Sequence, residues 1–191
     1  ASGFNALVYP LVKNKLIPPY QPIVCHAVSG YSGAGKKAIA QYESPDRPEE
    51  LDAPRLYSLG KTHKHIKEMM AVSGLSYPPI FHPYINPFYS GMIVSIPLHL
   101  RTLIKKATPK SVCEMFAEHY DGQKLVKVMP YMGEGVLENG FMAANALKGT
   151  DTMQIFVFGL DDSITLCARL DNLGKGASGA AVQCMNIMMG I

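Results

Sequence analysis

Three clusters in this sequence of 191 residues combine residue types and spacings suited to chemistry. The first, Ser29-Gly30-Tyr31-Ser32-Gly33-Ala34-Gly35-Lys36-Lys37, follows the apolar run Ile23 to Val28. Its glycines let backbone N–H groups surround an anion, while its serines add hydroxyls and its lysines charge. Gly30 to Lys36 also fits GxxxxGK, the spacing of a nucleotide P-loop. Lys37, however, stands where a Ser or Thr hydroxyl has to hold Mg²⁺, so an anion cradle or a plain strand-to-helix turn explains the segment better. The second cluster is His63-Lys64-His65. Histidines two apart point in different directions and do not make the i, i+4 pair of a zinc helix. The positive end of a helix disfavours imidazolium and keeps the ring neutral, as a general base requires; a capping or surface histidine is the plainer alternative. The third, Asp171-Asn172-Leu173-Gly174-Lys175-Gly176, is either a polar turn capping the last helix or a helix start facing a negatively charged ligand.

Elements that position these clusters are readable from periodicity. Ser2 is a candidate cap for a helix carrying Phe4, Leu7, Val8, Leu11 and Val12, which Pro10 is expected to kink or shorten. Ile23 to Val28 reads as a buried strand, residues 42–59 as an irregular surface excursion, and His63 to Ser73 as a helix. Residues 78–87 read as a proline-punctuated extended stretch. Met92, Val94, Ile96 and Leu98 alternate as on a half-buried strand, with Pro97 marking an edge or an end. Thr108-Pro109 is a cap followed by a first-turn proline, leading to Val112, Phe116 and Tyr120 on one side. Leu125 to Met129 is a strand, and the apolar runs 153–158 and 164–169 form a hairpin with a five-residue loop. A final helix spans residues 175–189, rich in small residues. Most methionines, among them Met69, Met70, Met142, Met153, Met185, Met188 and Met189, read as core filler. The order predicts an α+β fold with a mixed, largely antiparallel sheet and helices on one face.

Composition narrows the function classes. The chain is 48% hydrophobic and 17% charged, sufficient for one domain with a real core. A net charge of +3 is too small to suggest nucleic acid as a partner, and no apolar stretch approaches the ~18 residues of a membrane span. Four cysteines without a CxxC pair suit reduced thiols and a cytoplasmic location.

The three clusters together resemble motifs of the N-acetyl-gamma-glutamyl-phosphate reductase family. These are S-G-x-S-G-A-G-R/K-x at residues 29–37, H-R/K-H at 63–65 and D-N-L-x-K-G-A-A/S-G-x-A-V-Q-x-M-N at 171–186. They occur in the family's order and cover essentially the whole chain. The resemblance implies a semialdehyde dehydrogenase of arginine biosynthesis that reduces N-acetyl-glutamyl 5-phosphate with NADP(H) through a cysteine thioester. It implies that residues 1–191 are the catalytic and dimerisation domain of a homo-oligomer, dimer or tetramer, with the helix 174–191 returning toward a Rossmann domain that the chain lacks. His65 is then the base and His63 the substrate-orienting partner, with the reverse also compatible. Ser29, Gly30, Ser32, Gly33 and Lys36 would hold the phosphate, and Asn172, Lys175 and Gly176 would face the nicotinamide.

Two departures stand out. The family's nucleophile lies in G-C-Y/H-A/P-T/S, whose last two positions match Ala1-Ser2, and none of Cys25, Cys113, Cys167 or Cys184 matches it. The chain is therefore expected to begin just after the nucleophile and to be inactive alone. Where many relatives carry P-H-x-x-x-x-x-R-G-I/M, Tyr84 replaces the His and Ser90 the Arg, so Ser29, Ser32, Lys36 or Arg169 would supply the anion contact.

Overall fold

Phe4, Leu7, Val8 and Leu11 recur at helical spacing. In the computed structural model, which describes residues 1–60 and 62–191, they form the buried stripe of α1 (Ser2–Lys13). The cap is Ala1 rather than Ser2, and no side chain completes it. The helix also runs through Pro10. A proline removes the N–H that would reach the carbonyl four residues back, and here the Tyr120 hydroxyl donates to that carbonyl, Ala6 O, at 2.8 Å. Tyr120→Phe is expected to leave Ala6 O short of its donor and to cost about 1 kcal/mol, lowering Tm by about 2–4 °C in a thermal melt.

Strand β1 (Val24–Gly30) leads through a short 3₁₀ turn, residues 31–34, into α2 (Lys36–Tyr42). There follow β2 (Arg55–Leu56), α3 (His65–Ser73), β3 (Ile80–Asn86), β4 (Met92–His99), α4 (Pro109–His119) and β5 (Val126–Val128). The hairpin of β6 (Met153–Leu160) and β7 (Ser163–Leu170) precedes a π turn at Gly174–Ser178 and the final α5 (Gly179–Met189). The seven strands form one sheet in the order β2-β3-β1-β4-β7-β6-β5. The pairs β1/β3 and β5/β6 are parallel and the other four antiparallel, as the mixed, largely antiparallel expectation required.

Helices α1, α3 and α4 bury one face of this sheet, with Ala27, Val94, Ile96, Ile155, Val157, Leu166 and Ala168 beneath them. At α4 the Thr108 hydroxyl accepts from Ser111 N at 3.1 Å, and the Ser111 hydroxyl accepts in return from Thr108 N at 2.9 Å. This reciprocal cap is what fixes the helix start. The opposite face carries His26 stacked on His82, with ring centroids 5.0 Å apart, and the buried Arg169.

Several expectations are corrected. The excursion at residues 42–59 contains β2, and the extended stretch at 78–87 is a full interior strand. Pro83 is tolerated there because its carbonyl accepts from Tyr57 N at 3.1 Å, on the side of the two-residue β2; its nitrogen faces the same side, where no ladder donor is required. Pro97 lies in an interior strand, but at a position where β4 has run past the end of its pairing with β1. The hairpin loop has two residues instead of five, because pairing continues through Leu160 and Ser163. Asp162 anchors that turn, its carboxylate accepting from Arg101 N at 2.8 Å and pairing with the Arg101 guanidinium at 3.0 Å. Met69 and Met153 are core residues, whereas Met185, Met188 and Met189 are exposed on α5. Among the described residues no helix is long and apolar enough to cross a membrane.

Candidate active site

The site gathers at the N-terminus of α1, on the helix-bearing face. Gly3 brings α1 against β4 and β7 so closely that a Cβ there would lie 2.8 Å from Val94 Cγ2 and 3.3 Å from Leu170 Cδ2. This seats Ala1 beside the first turn of α3, where its amino nitrogen is 3.5 Å from His65 Nδ1. Burial drives the His65 pKa down to about 4, aided by the amino-terminal ammonium, His63 and Lys64. The imidazole is therefore neutral across the physiological range, ready to accept a proton.

His63 has a different task. Its Nδ1 accepts from His65 N at 3.2 Å, capping the exposed start of α3. If neutral, the ring then carries its proton on Nε2. His63 packs edge-on against Phe81, centroids 5.1 Å apart, and lies 5.7 Å from Tyr57. Burial first, then the ammonium and Lys64, also lowers its pKa. His63 thus supports the start of α3 while its surroundings favour the neutral ring.

The pKa of His65 has a consequence for stability. Between pH 6.5 and about 4 the unfolded chain takes up a proton at this residue that the folded chain refuses, so stability falls as the pH drops through that window. Equilibrium urea unfolding of this chain at pH 7 and pH 5 is expected to show a smaller difference for His65→Asn than for the parent.

The serine-glycine turn is docked against residues 86–91 by its own backbone. Gly30 N donates to Gly91 O at 3.0 Å, Tyr31 N to Phe88 O at 2.9 Å and Ser32 N to Tyr89 O at 3.0 Å. The N–H groups of Gly30, Tyr31 and Ser32 are therefore taken up within the fold, and an anion at this turn would have to draw on the later residues of the loop and on side chains. Gly30 is glycine because a Cβ would sit 2.5 Å from Tyr89 O and 2.7 Å from Phe88 O.

Ser32 is buried, and its hydroxyl accepts from Asn172 Nδ2 at 3.0 Å, leaving its own proton to donate. Ser29 is half-buried and donates to Gly30 O at 3.2 Å. Gly33 lies against the Asn172 amide, and Lys36, the first residue of α2, is exposed. The side chain of Asn172 also accepts from Gly91 N at 2.7 Å, so it ties the last loop to the serine turn. What this loop offers a flat ring is shape. Gly176, Ala177 and Ser178 are exposed on the π turn with no large side chain, and irregular turns of this kind are frequent at functional sites. Lys175 is buried, bonds to Gln183, and has its pKa lowered by burial.

The structure thus joins His65 to Ala1, and Ser32 and Gly33 to Asn172, with Gly176 reaching α1 through Leu170, which touches both Gly3 and Gly176. It does not place Lys36 in contact with either histidine. Arg169 is excluded as an anion contact here, because it lies on the opposite face, paired with Glu138 at 2.8 Å and with Gln154. Tyr57 went unrecognised in the sequence, where nothing but its position six residues before His63 sets it apart.

A seven-stranded mixed sheet with one helix-covered face is a fold shared with known proteins. Residues 1–172 match the family model described as semialdehyde dehydrogenase, dimerisation domain, and the chain belongs to that family. It is 45% identical to N-acetyl-gamma-glutamyl-phosphate reductase 2 of a Nostoc species, over 100% of this chain and 61% of that protein. It is also 45% identical to the N-acetyl-gamma-glutamyl-phosphate reductase of Rhizobium etli, over 98% of this chain and 61% of that protein. The chain therefore spans about three fifths of the length of these relatives. Aspartate semialdehyde dehydrogenase from Francisella tularensis superposes with a TM-score of 0.69 at 14% identity, over 98% of this chain and 62% of that one. A probable aspartate-semialdehyde dehydrogenase from Pseudomonas aeruginosa gives 0.69 at 17% identity, over 97% and 60%. These two likenesses concern the fold.

Proposed function

We propose that this chain is the catalytic and dimerisation portion of an NADP-dependent reductase that converts N-acetyl-glutamyl 5-phosphate to N-acetyl-glutamate 5-semialdehyde in arginine biosynthesis. The observation that carries the reading is the 3.5 Å approach of the Ala1 nitrogen to His65 Nδ1. A cysteine two residues before Ala1, where the resemblance puts the nucleophile, would lie close to a neutral imidazole. His65 takes the thiol proton, and the thiolate attacks the acyl phosphate to give a thioester and release phosphate. The dinucleotide, when bound, supplies the hydride that reduces the thioester. His65 gives its proton to the oxygen of the hemithioacetal so formed and takes it back as the C–S bond breaks, releasing the semialdehyde and the thiolate, while His63 orients the substrate from the other side of the ring pair, whose centroids are 4.8 Å apart.

Ser32, with its free hydroxyl proton, is the anion donor that the serine turn provides; Ser29 and Lys36 border it. Asn172, Lys175 and Gly176 belong to the loop on which the nicotinamide would lie, and the bare π turn fits a flat ring. The exposed apolar residues of α5 are suited to a neighbouring domain, in line with a helix at 174–191 that returns toward the dinucleotide-binding part. A homo-oligomer in the cytoplasm completes the reading. The test is an assay of the full-length protein with the acyl phosphate and NADPH. Substrate-dependent oxidation of NADPH is expected, and its absence with folded protein would overturn the proposal.

A further inference from the structure

We infer that Arg55 seats the anionic end of the substrate, a carboxylate or phosphate oxyanion, an inference that rests on the reductase reading above. Arg55 pairs across the sheet with Ile85, and Ile85 with Ser29. Directly paired residues share a face, so Arg55 and Ser29 both project from the helix-bearing side, about 10 Å apart at their backbones. Tyr57, two residues further along, stands beside His63 on the same side.

The cation is fixed there before any ligand arrives. Its guanidinium lies over the Tyr42 ring, 5.3 Å from the centroid, and Nη2 donates to Tyr42 Oη at 2.9 Å. Tyr42 in turn stacks on Tyr31, the residue after Gly30, with centroids 4.5 Å apart and planes 5° from parallel. Arg55 is thereby tied both through the sheet and through the aromatic pair to the serine turn.

Its bonding capacity is incomplete. Nε is buried and has no hydrogen-bond partner among the described residues, and none of their carboxylates forms an ion pair with Arg55. The neighbouring Arg47, by contrast, is engaged by Asp52 and Tyr42 O. An unpaired buried N–H is costly. An oxyanion can accept from Nε–H and an Nη–H together in the fork geometry that a guanidinium presents.

The experiment is steady-state kinetics of the full-length protein. Arg55→Gln is expected to raise KM for the acyl phosphate about 10- to 100-fold with little change in kcat. Arg55→Lys is expected to recover part of the loss, and added guanidinium to restore part of the activity of Arg55→Ala. Inorganic phosphate and N-acetyl-L-glutamate are run as competitive inhibitors. Whichever loses affinity in Arg55→Gln identifies the group that is held, and if neither does, the inference fails. An unchanged KM, or a loss of kcat accompanied by a lowered melting temperature and no guanidinium rescue, also overturns it. If the full-length protein reduces no acyl phosphate, the reductase reading fails separately. The ¹⁵Nε–¹H resonance of Arg55, titrated with each of the two probes, then decides the present inference: a saturable shift supports it and none refutes it.

Discussion

Replacing His65 with Asn in the full-length protein is expected to lower turnover by about 10²- to 10⁴-fold, the range for loss of a general base. Asparagine keeps a polar planar group of similar reach at the first turn of α3 but cannot take up a proton in this pH range. The backbone N–H of residue 65 still finds the Nδ1 of His63, so the helix start survives. The fold is therefore expected to stay intact, and the loss to appear in kcat as well as kcat/KM. His63→Asn separates the two histidines. It weakens the cap and the contact with Phe81, and is expected to cost less turnover than His65→Asn. An equal or larger loss at His63 would exchange their roles. Turnover of His65→Asn within threefold of the parent would remove the residue from the chemistry.

The second large effect is expected at Gly30. Alanine there forces its methyl into the carbonyls of Phe88 and Tyr89, which also accept from Tyr31 N and Ser32 N. The backbone angles of residue 30, φ −63° and ψ 158°, are open to any residue, so the penalty is contact alone. Relief of that contact requires the turn to lift off residues 86–91, loosening three hydrogen bonds at about 1 kcal/mol each. A loss of about 3 kcal/mol follows, or about 6–12 °C in Tm for a chain of this size. Because Asn172 is tied to Ser32 and to Gly91 N, the lifted turn also frees the loop that leads into the π turn. Turnover of Gly30→Ala should fall even below its melting temperature. A melt within 2 °C of the parent would show that the turn is not held as described.

Much of this architecture is legible in local sequence signals. The cap Thr108 with Pro109 locates α4, the alternation at 92–98 locates β4, and the run 23–28 locates β1, because each depends on residues within one turn or one strand. Features set by distant partners are not. Nothing near Pro10 announces that Tyr120, 110 residues on, will satisfy the carbonyl of Ala6. The two residues of β2 are too few to show a period, and Pro83 disguises β3 because its tolerance depends on how short β2 is. At the site, the histidine pair and the serine turn are recognisable as motifs. That the N–H groups of Gly30, Tyr31 and Ser32 face residues 86–91 is a property of packing, as are the contacts of Arg55 with Tyr42 and of Tyr57 with His63.

In the proposed mechanism the position two residues before Ala1 faces a proton-accepting His65. The direct test is the pH dependence of alkylation by iodoacetamide at a cysteine introduced at that position, with the modified peptide identified by mass spectrometry. Cys25, Cys113 and Cys167 are buried and Cys184 is exposed, so the peptide assignment separates the signals. The thiol pKa is expected to lie below the ordinary ~8.5 and to return toward it in His65→Asn, since a thiolate beside an imidazole is stabilised by the proton that the ring accepts. The same ordinary pKa with and without His65 would contradict it.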